Sequence, residues 1–186
     1  MLTEGIATAI PRIMTDDPER FEELVREHQA MVFSMACRYL RNRALAEEIA
    51  QDVFLQLYRK LPSLESQDHV VHWLRWVTAH RLIDHSRHEK RRPQSPLEDA
   101  PEPAAADSTG SADPLLSDML RDLVAALPEN ARVVMILRYQ EDLDPMDIAR
   151  ALDMPIATVK SHLQRSLALL KDKLRDKLSP QKGVGL

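Results

Sequence analysis

Apolar residues recur at intervals of three and four over most of the chain, which is the period of an α-helix that buries one face. In the N-terminal half, this spacing predicts helices over Pro18–Leu40, Arg43–Leu61 and Asp68–Glu89. Asn42 stands where the second helix needs an N-terminal cap, and the segment PSLESQD interrupts the pattern before the third helix. Three helices with inward apolar faces can enclose one small core.

Four more helices are predicted in the C-terminal part. Two cover Leu115–Leu127 and Glu129–Gln140, and a third begins after Asp144, a good N-cap that is followed by Pro145. In the short turn DMP that follows this third helix, Asp153 can adopt the left-handed conformation. The last helix carries a stripe that is expected to pack inward: Val159, Leu163, Leu167, Leu170, Leu174 and Leu178. A short helix, a tight turn and a longer helix together form a helix–turn–helix.

The stretch between the two sets of helices, PQSPLEDAPEPAAADSTGSADP, has no helical period and is rich in Pro, Ala, Ser and Asp. It contains acids and no bases, which is the composition of a flexible linker. The predicted fold class is therefore all-α, with two small helical domains joined by a flexible acidic linker. The domains cover residues 18–92 and 115–178, with the linker at 93–114, an N-terminal extension at 1–17 and a tail at 179–186.

Composition narrows the classes of protein to which this chain can belong. Its single cysteine, Cys37, excludes an internal disulfide framework, and the apolar helical setting predicts a buried structural thiol rather than a redox sensor. No apolar run is long enough to span a bilayer, and the N-terminus lacks the pattern of a signal peptide. We therefore expect a cytoplasmic protein without membrane insertion.

Charge is distributed unevenly along the chain, whose formal net charge is −4. Residues 72–92 contain six Lys and Arg side chains against two acids, and residues 156–178 contain six against two. Basic side chains concentrated on helices are typical of surfaces that bind nucleic acid. The acidic total therefore does not exclude DNA binding, because the acids lie mainly in the linker and on other helix surfaces.

Three segments occur in a familiar order: AEEIAQDVFLQLYRKL, HWLRWVTAHRLIDHSR and LPENARVVMILRYQEDLDPMDIARALDMPIATVKSHLQRSLALLK. Together they resemble the two conserved regions of a bacterial sigma factor. The compact layout is similar to the extracytoplasmic-function (ECF) class, which keeps only regions two and four. This resemblance implies an alternative sigma factor that binds core RNA polymerase and directs promoter-specific initiation. Region two would capture the −10 strand, and region four would read the −35 duplex.

The resemblance also assigns roles to individual residues. The helix with EEIAQDVF would dock on the clamp helices of the polymerase largest subunit, with Glu48, Gln51 and Asp52 as contacts. The residues expected at the −10 strand are Ser63, Gln67, Asp68, Arg75, Trp76, His80, Arg81 and Arg87. Those expected at the −35 duplex are Thr158, Lys160, Ser161, His162 and Arg165. Family members usually have glutamate at the position of Asp52 and asparagine at the position of His80.

Physical chemistry supports this division of roles. Single-stranded DNA is bound by aromatic stacking combined with cationic side chains, and Trp76 with Arg75 and Arg81 provides both. Trp73 lies in register with core positions and is expected to pack inward, whereas Trp76 fits either packing or contact with a base. Fully extended, the linker reaches roughly 70 Å, which is about two turns of duplex DNA.

Two other classes of protein compete with this interpretation. An autonomous helix–turn–helix regulator would need an apolar sensor pocket, which the charged third helix does not favour. A metal site at His80, Asp84 and His88 has suitable spacing, but the neighbouring arginines would repel a cation. No catalytic motif is recognisable, so we expect no enzyme, no cofactor and no metal. The expected partners are core RNA polymerase, promoter DNA and, as is common in the family, an anti-sigma factor.

Overall fold

The computed structural model describes residues 18–91 and 114–178, and within them the chain is helical. The helices are α1 (Pro18–Leu40), α2 (Arg43–Lys60), α3 (Gln67–Arg91), α4 (Pro114–Ala125), α5 (Glu129–Tyr139), α6 (Pro145–Ala151) and α7 (Ile156–Leu178), with a 3₁₀ turn at Leu61–Ser63. The all-α prediction is confirmed, and the predicted helix ends are within two residues of these bounds. The predicted extension, the tail and the linker as far as residue 113 lie outside the described residues, whereas Pro114, predicted as the end of the linker, begins α4.

The N-terminal unit, α1–α3, has a continuous apolar core. Its most deeply buried side chains come from all three helices: Val32, Met35 and Tyr39 of α1, Val53 and Leu57 of α2, and Val70, Leu74 and Leu82 of α3. The predicted cap at Asn42 is confirmed, because its side chain accepts a hydrogen bond from the Leu45 amide at 3.1 Å. Cys37 is half-buried rather than buried, at the edge of this core.

The C-terminal unit, α4–α7, contains the predicted helix–turn–helix. Asp144 caps α6 by accepting hydrogen bonds from the amides of Met146 and Asp147 at 2.7 and 2.9 Å. Asp153 takes the left-handed conformation, with φ 48°, and allows the sharp turn between α6 and α7. These local devices fix the angle at which α7 leaves α6.

The inward stripe predicted for α7 is correct at Val159 and Leu170, which are buried, and wrong at Leu167, which is 45% exposed. Ser166 is buried at that turn instead. A helix rotates by about 100° per residue, so a step of three residues from Leu163 leads to Ser166 and a step of four leads to Leu167, and here the smaller Ser166 takes the inward position. Leu163 and Leu174 are half-buried, and the Leu178 side chain lies outside the described set.

The two units pack against each other, which the sequence pattern did not predict. One apolar cluster runs through both units. From the C-terminal unit it includes Val133, Val134, Ile136, Leu137, Ile148, Leu152 and Val159. Helix α5 lies against α1 and α3, so the C-terminal unit covers part of the N-terminal unit.

Arg132 on α5 connects the units with polar contacts. Its guanidinium carbon lies 4.7 Å from the centroid of the Tyr39 ring, and Nη1 donates to the Tyr39 carbonyl oxygen at 2.9 Å. Nη2 donates to the carbonyl oxygens of Ala125 and Leu127 at the end of α4. One side chain therefore provides hydrogen-bond donors for carbonyl oxygens at the end of α4 and links this end to α1.

Candidate nucleic-acid interface

The start of α3 and the turn before it form a shallow groove on the surface. Its volume is about 370 Å³, and it is lined by Leu64, His69, His72, Trp73 and Trp76. Trp73 is half-buried and packs against the core with one side, so the predicted inward position is correct only in part. The sequence interpretation missed His69 and His72 as lining residues, although they follow closely after Gln67 and Asp68, which it assigned to the −10 strand.

Trp76 and His80 lie one helical turn apart on α3 and form a stacked pair. Trp76 is 38% exposed, and the two rings have centroids 4.5 Å apart at an interplanar angle of 36°. His80 Nδ1 lies 2.8 Å from the Trp76 carbonyl oxygen, so Nδ1 carries the proton in this contact. Nε2 is the other nitrogen of the ring and is not part of this contact.

The other residues predicted for the −10 strand lie in different settings. Gln67 and Asp68 begin α3, and Gln67 donates to Glu27 Oε2 at 2.7 Å. The Ser63 hydroxyl donates to the Lys60 carbonyl oxygen at 2.8 Å and is thus used locally. These side chains are exposed and lie near the groove in sequence.

The three predicted arginines of α3 all face partners within the protein. Arg75 Nε lies 3.1 Å from Glu141 Oε2, in the C-terminal unit. With its amide oxygen turned toward Arg81, Gln56 accepts hydrogen bonds from Arg81 Nε and Nη2 at 2.7 and 2.8 Å. Arg87 is exposed, with Nη1 3.9 Å from Asp84 Oδ1. Of these partners, only Glu141 comes from the C-terminal unit.

The face of α2 predicted to contact polymerase is open to solvent. Glu48, Gln51 and Asp52 are all exposed there. Leu55 lies one turn further along the same face and is 57% exposed, which the sequence interpretation missed. The signal was present in the sequence, because Leu55 falls outside the inward positions of α2, and exposed apolar residues beside polar ones are common at protein interfaces.

The residues predicted to read the −35 duplex lie in the first turns of α7. Thr158, Lys160 and Arg165 are exposed, and Ser161 and His162 are half-buried. The amide of Thr158 donates to the Pro155 carbonyl oxygen at 2.8 Å, so the helix begins abruptly after the turn. A helix N-terminus carries partial positive charge, which favours contact with phosphate.

Residues considered for a metal site have other contacts. His80 stacks on Trp76, and Asp84 lies beside Arg87. Across residues 18–91 and 114–178, no group of three or more His, Cys, Asp or Glu side chains is arranged to hold a metal ion. The helices of these same ranges are not long and apolar enough to cross a membrane.

Comparison with known families decides between the competing classes. The family model of Sigma-70 region 2 matches residues 24–92, and that of Sigma-70 region 4 matches residues 117–170. Together they cover about two thirds of the chain. The chain belongs to the sigma-70 family. It is an alternative sigma factor of the ECF class with regions two and four. The competing interpretation as an autonomous helix–turn–helix regulator is therefore set aside.

Individual relatives agree with this membership over nearly their whole length. The chain is 26% identical to the ECF RNA polymerase sigma factor SigW of Bacillus subtilis over 184 residues, covering 92% of this chain and 97% of that protein. It is 28% identical to the ECF RNA polymerase sigma-E factor of Escherichia coli K12 over 177 residues, covering 89% and 92%.

A solved structure shares the fold. The sigma factor RpoE from Bartonella quintana, crystallised in complex with the anti-sigma factor NepR, superposes with a TM-score of 0.67 at 19% identity. The match covers 87% of this chain and 99% of that one. At this level of identity the likeness concerns the fold alone.

Proposed function

We propose that this sigma factor divides promoter recognition among three surfaces. The exposed face of α2 docks on the clamp helices of the polymerase largest subunit. The aromatic groove and the cationic side chains of α3 capture the unpaired −10 strand, and the first turns of α7 read the −35 duplex. The observation that carries the proposal is the groove, in which two tryptophans and two histidines adjoin a basic helix.

Capture of an unpaired base fits the chemistry of this groove. Its volume of about 370 Å³ lies at the lower end of the range for ligand sites. Stacking of a base on an aromatic side chain contributes about 1–3 kcal/mol, and it tolerates different bases because each has a π-face. Arg75 and Arg81 on the same helix supply charges for the phosphates.

His80 gives the proposed site a base-reading group where family members usually have asparagine. With Nδ1 bound to the Trp76 carbonyl oxygen, neutral His80 presents Nε2 as an acceptor. This acceptor would prefer a hydrogen-bond donor on the edge of the captured base.

Open-complex formation tests the role of the groove. Trp76→Ala and His80→Ala are expected to reduce permanganate reactivity of unpaired thymines near −10 on duplex promoter, and to recover partly on a preformed bubble. Trp76→Phe keeps an aromatic ring and serves as the matched control. Wild-type patterns for both alanine variants would reject strand capture by these residues.

Stability measurements separate this role from a core role for Trp76. Because Trp76 is 38% exposed, its replacement by alanine is expected to change the melting temperature little. A loss of many degrees would identify Trp76 as a packing residue, and the transcription defect would then have a structural cause.

Docking on polymerase is proposed for Glu48, Gln51 and Asp52, with Leu55 as an apolar contact among them. Asp52→Lys combined with Gln51→Glu is expected to weaken binding to core polymerase without changing helicity. The control is Glu22→Lys, a charge reversal at an exposed position of α1. Unchanged affinity in a titration of core polymerase would remove this assignment.

The remaining parts of the proposal concern context. The protein contributes no chemistry of its own, since polymerase makes the RNA chain, and it acts in the cytoplasm, where polymerase and promoters are. An anti-sigma factor is proposed as a further partner because the Bartonella quintana sigma factor of similar fold is in complex with one. Co-purification from cells with the tagged chain as bait tests that last point.

A further inference from the structure

The surface between the two units contains several polar contacts in addition to its apolar core. Arg132 lies over Tyr39, as described above. Three further pairs connect the units: Arg41 Nη2 to Asp122 Oδ1 at 2.7 Å, Lys90 Nζ to Glu129 Oε1 at 2.5 Å, and Gln140 Nε2 to Ser34 Oγ at 2.7 Å. The fifth contact is Arg75 with Glu141.

Among the three ion pairs between the described units, the Arg75–Glu141 pair is the most deeply buried. The Glu141 side chain is only 6% exposed and that of Arg75 is 24% exposed, whereas Arg41 and Asp122 are about half exposed. Both Glu141 oxygens have donors, because Oε2 faces Arg75 Nε at 3.1 Å and Oε1 accepts from Gln140 Nε2 at 3.1 Å. The carboxylate is therefore held in place against the α3 guanidinium.

Arg75 is also a residue of the proposed −10 surface, one position before Trp76. Guanidinium groups bind carboxylate and phosphate with similar geometry. An oxygen of Glu141 thus occupies the Nε position on Arg75 that a phosphate oxygen of captured DNA would use.

We propose that Glu141 is a competitor for the −10 strand: it binds Arg75 in the free chain and is replaced by a DNA phosphate when the strand is captured. The inference rests on the proposed function of α3. Its consequence is that strand capture and separation of the two units are coupled. Once Arg75 turns to DNA, Glu141 is left as a nearly buried carboxylate without its cation, and such a group is stable only after it returns to water.

This competition gives the free chain a low affinity for single-stranded DNA. Closed units hide one of the α3 cations, while the −35 side chains of α7 stay exposed. Binding to polymerase at separate surfaces would pull the units apart and release Arg75. The −10 contact would then form in the context of the holoenzyme rather than on the free subunit.

The test uses the free full-length chain and a fluorescein-labelled single-stranded oligonucleotide of mixed sequence, titrated over a range of salt concentrations. Glu141→Gln is expected to raise affinity about fivefold. It should also steepen the slope of log K against log salt concentration by about 0.7, the value for one phosphate contact on a single strand. The matched control is Asp142→Asn, which changes net charge equally at a neighbouring side chain that is 100% exposed. It is expected to change affinity less than about twofold, because salt screens the fully exposed charge of Asp142 from the DNA.

A double variant links the gain to Arg75. Arg75→Gln combined with Glu141→Gln should bind the oligonucleotide no better than the wild type. Separation of the units is measured by double electron–electron resonance between labels at Arg59→Cys and Lys171→Cys, in a Cys37→Ser background. Glu141→Gln should add longer distances to the distribution, and Asp142→Asn should not.

Equal affinities and equal distance distributions for Glu141→Gln and Asp142→Asn would overturn the inference while leaving the proposed function intact. The proposed function fails in a different way: holoenzyme with Arg75→Gln would then give the wild-type permanganate pattern. Separation of the units without a gain in DNA affinity also counts against competition, because it means that released Arg75 does not bind the strand.

Discussion

The two helices proposed to contact DNA, α3 and α7, are presented in opposite ways. On α7, Lys160 and Arg165 are exposed, and the helix starts at a sharp turn that leaves its first residues accessible. On α3, Arg75 is covered by the C-terminal unit through Glu141. One DNA-facing surface is therefore open in the isolated chain, and the other is partly occupied by the chain itself.

The difference follows from how each helix is positioned. The direction of α7 depends on neighbours in sequence, namely the cap at Asp144 and the left-handed residue Asp153. The surroundings of Arg75 depend instead on a residue 66 positions away in sequence. Local geometry persists when the units separate, whereas the Arg75–Glu141 contact does not. Variants that remove contacts between the units should therefore affect the surface of α3 more, and variants within α6 or α7 should affect the surface of α7 more.

Arg132→Ala should have the largest effect, because it removes the side chain that joins the units. Its guanidinium donates to three carbonyl oxygens and lies over the Tyr39 ring. Hydrogen bonds from a charged donor and a cation–π contact make a loss of roughly 3 kcal/mol in the free energy of unfolding reasonable. Urea denaturation followed by circular dichroism measures this loss.

A cation–π contact within one unit provides the control for Arg132. Arg43 has its guanidinium carbon 5.0 Å from the Phe33 ring centroid and an exposed ion pair with Glu47. Arg43→Ala is expected to lower stability by less than about 1 kcal/mol. If both variants lose the same amount, Arg132 does not join the units, and the comparison between a covered and an open surface loses its basis.

Sequence patterns were sufficient for features that depend on neighbours along the chain. Helix ends, the Asn42 and Asp144 caps and the left-handed Asp153 were all predicted, since each depends on a few adjacent residues. The inward position predicted for Leu167 was wrong, because steps of three and of four residues are both compatible with a helix and leave two neighbouring candidates at each turn. Ser166 was the inward residue, and its small polar side chain gave no apolar signal.

Contacts between distant parts of the chain could not be predicted in this way. Glu141 follows α5 in a segment with several acids, and its sequence surroundings do not distinguish it from the fully exposed Asp142 beside it. Arg132 likewise resembles any arginine in an amphipathic helix. Their roles arise from the packing of α5 on α1 and α3, and this packing joins segments separated by the linker.

Substitutions on α7 should act on the open surface alone. Arg165→Ala and Lys160→Ala are expected to weaken binding of the holoenzyme to −35 duplex. A base contact should cost about 1–3 kcal/mol and relax one position of the site, whereas a phosphate contact should weaken all sequences and lower the salt slope by about one. Binding titrations at several salt concentrations distinguish these outcomes.

The −10 surface provides the check on these α7 variants. Permanganate reactivity on a preformed bubble without a −35 element should be the same as in the wild type, because α3 is unchanged. Lys171→Ala, which removes an exposed base further along α7, is the matched control and should affect −35 binding less. Wild-type binding by both Arg165→Ala and Lys160→Ala across salt would mean that the first turns of α7 do not read the −35 duplex as proposed.

The smallest expected effect concerns the cap that orients α7. Hydrogen bonds from the amides of Asp147 and Met146 hold the pKa of Asp144 below its ordinary value of 3.8. Because the folded pKa is the lower one, the cap stabilises the protein fully at pH values above 3.8 and loses this contribution as pH falls through the folded pKa. Asp144→Ala should therefore lower the melting temperature at pH 7 by about 2–4 °C, as is typical when a helix cap is lost from a chain of this size.

The pH dependence of this difference identifies its cause. The melting temperatures of wild type and Asp144→Ala should converge as pH is lowered below 3.8, since a protonated Asp144 accepts these hydrogen bonds only weakly. Asp144→Asn keeps an acceptor oxygen without the titrating charge, so it should lie between the two at pH 7 and change less with pH. Binding to −35 duplex should fall slightly with Asp144→Ala, because the cap fixes the start of α6, the helix from which α7 continues after the turn at Asp153. A difference in melting temperature that stays constant from pH 7 to pH 3 would show that the carboxylate is not the source of the stabilisation.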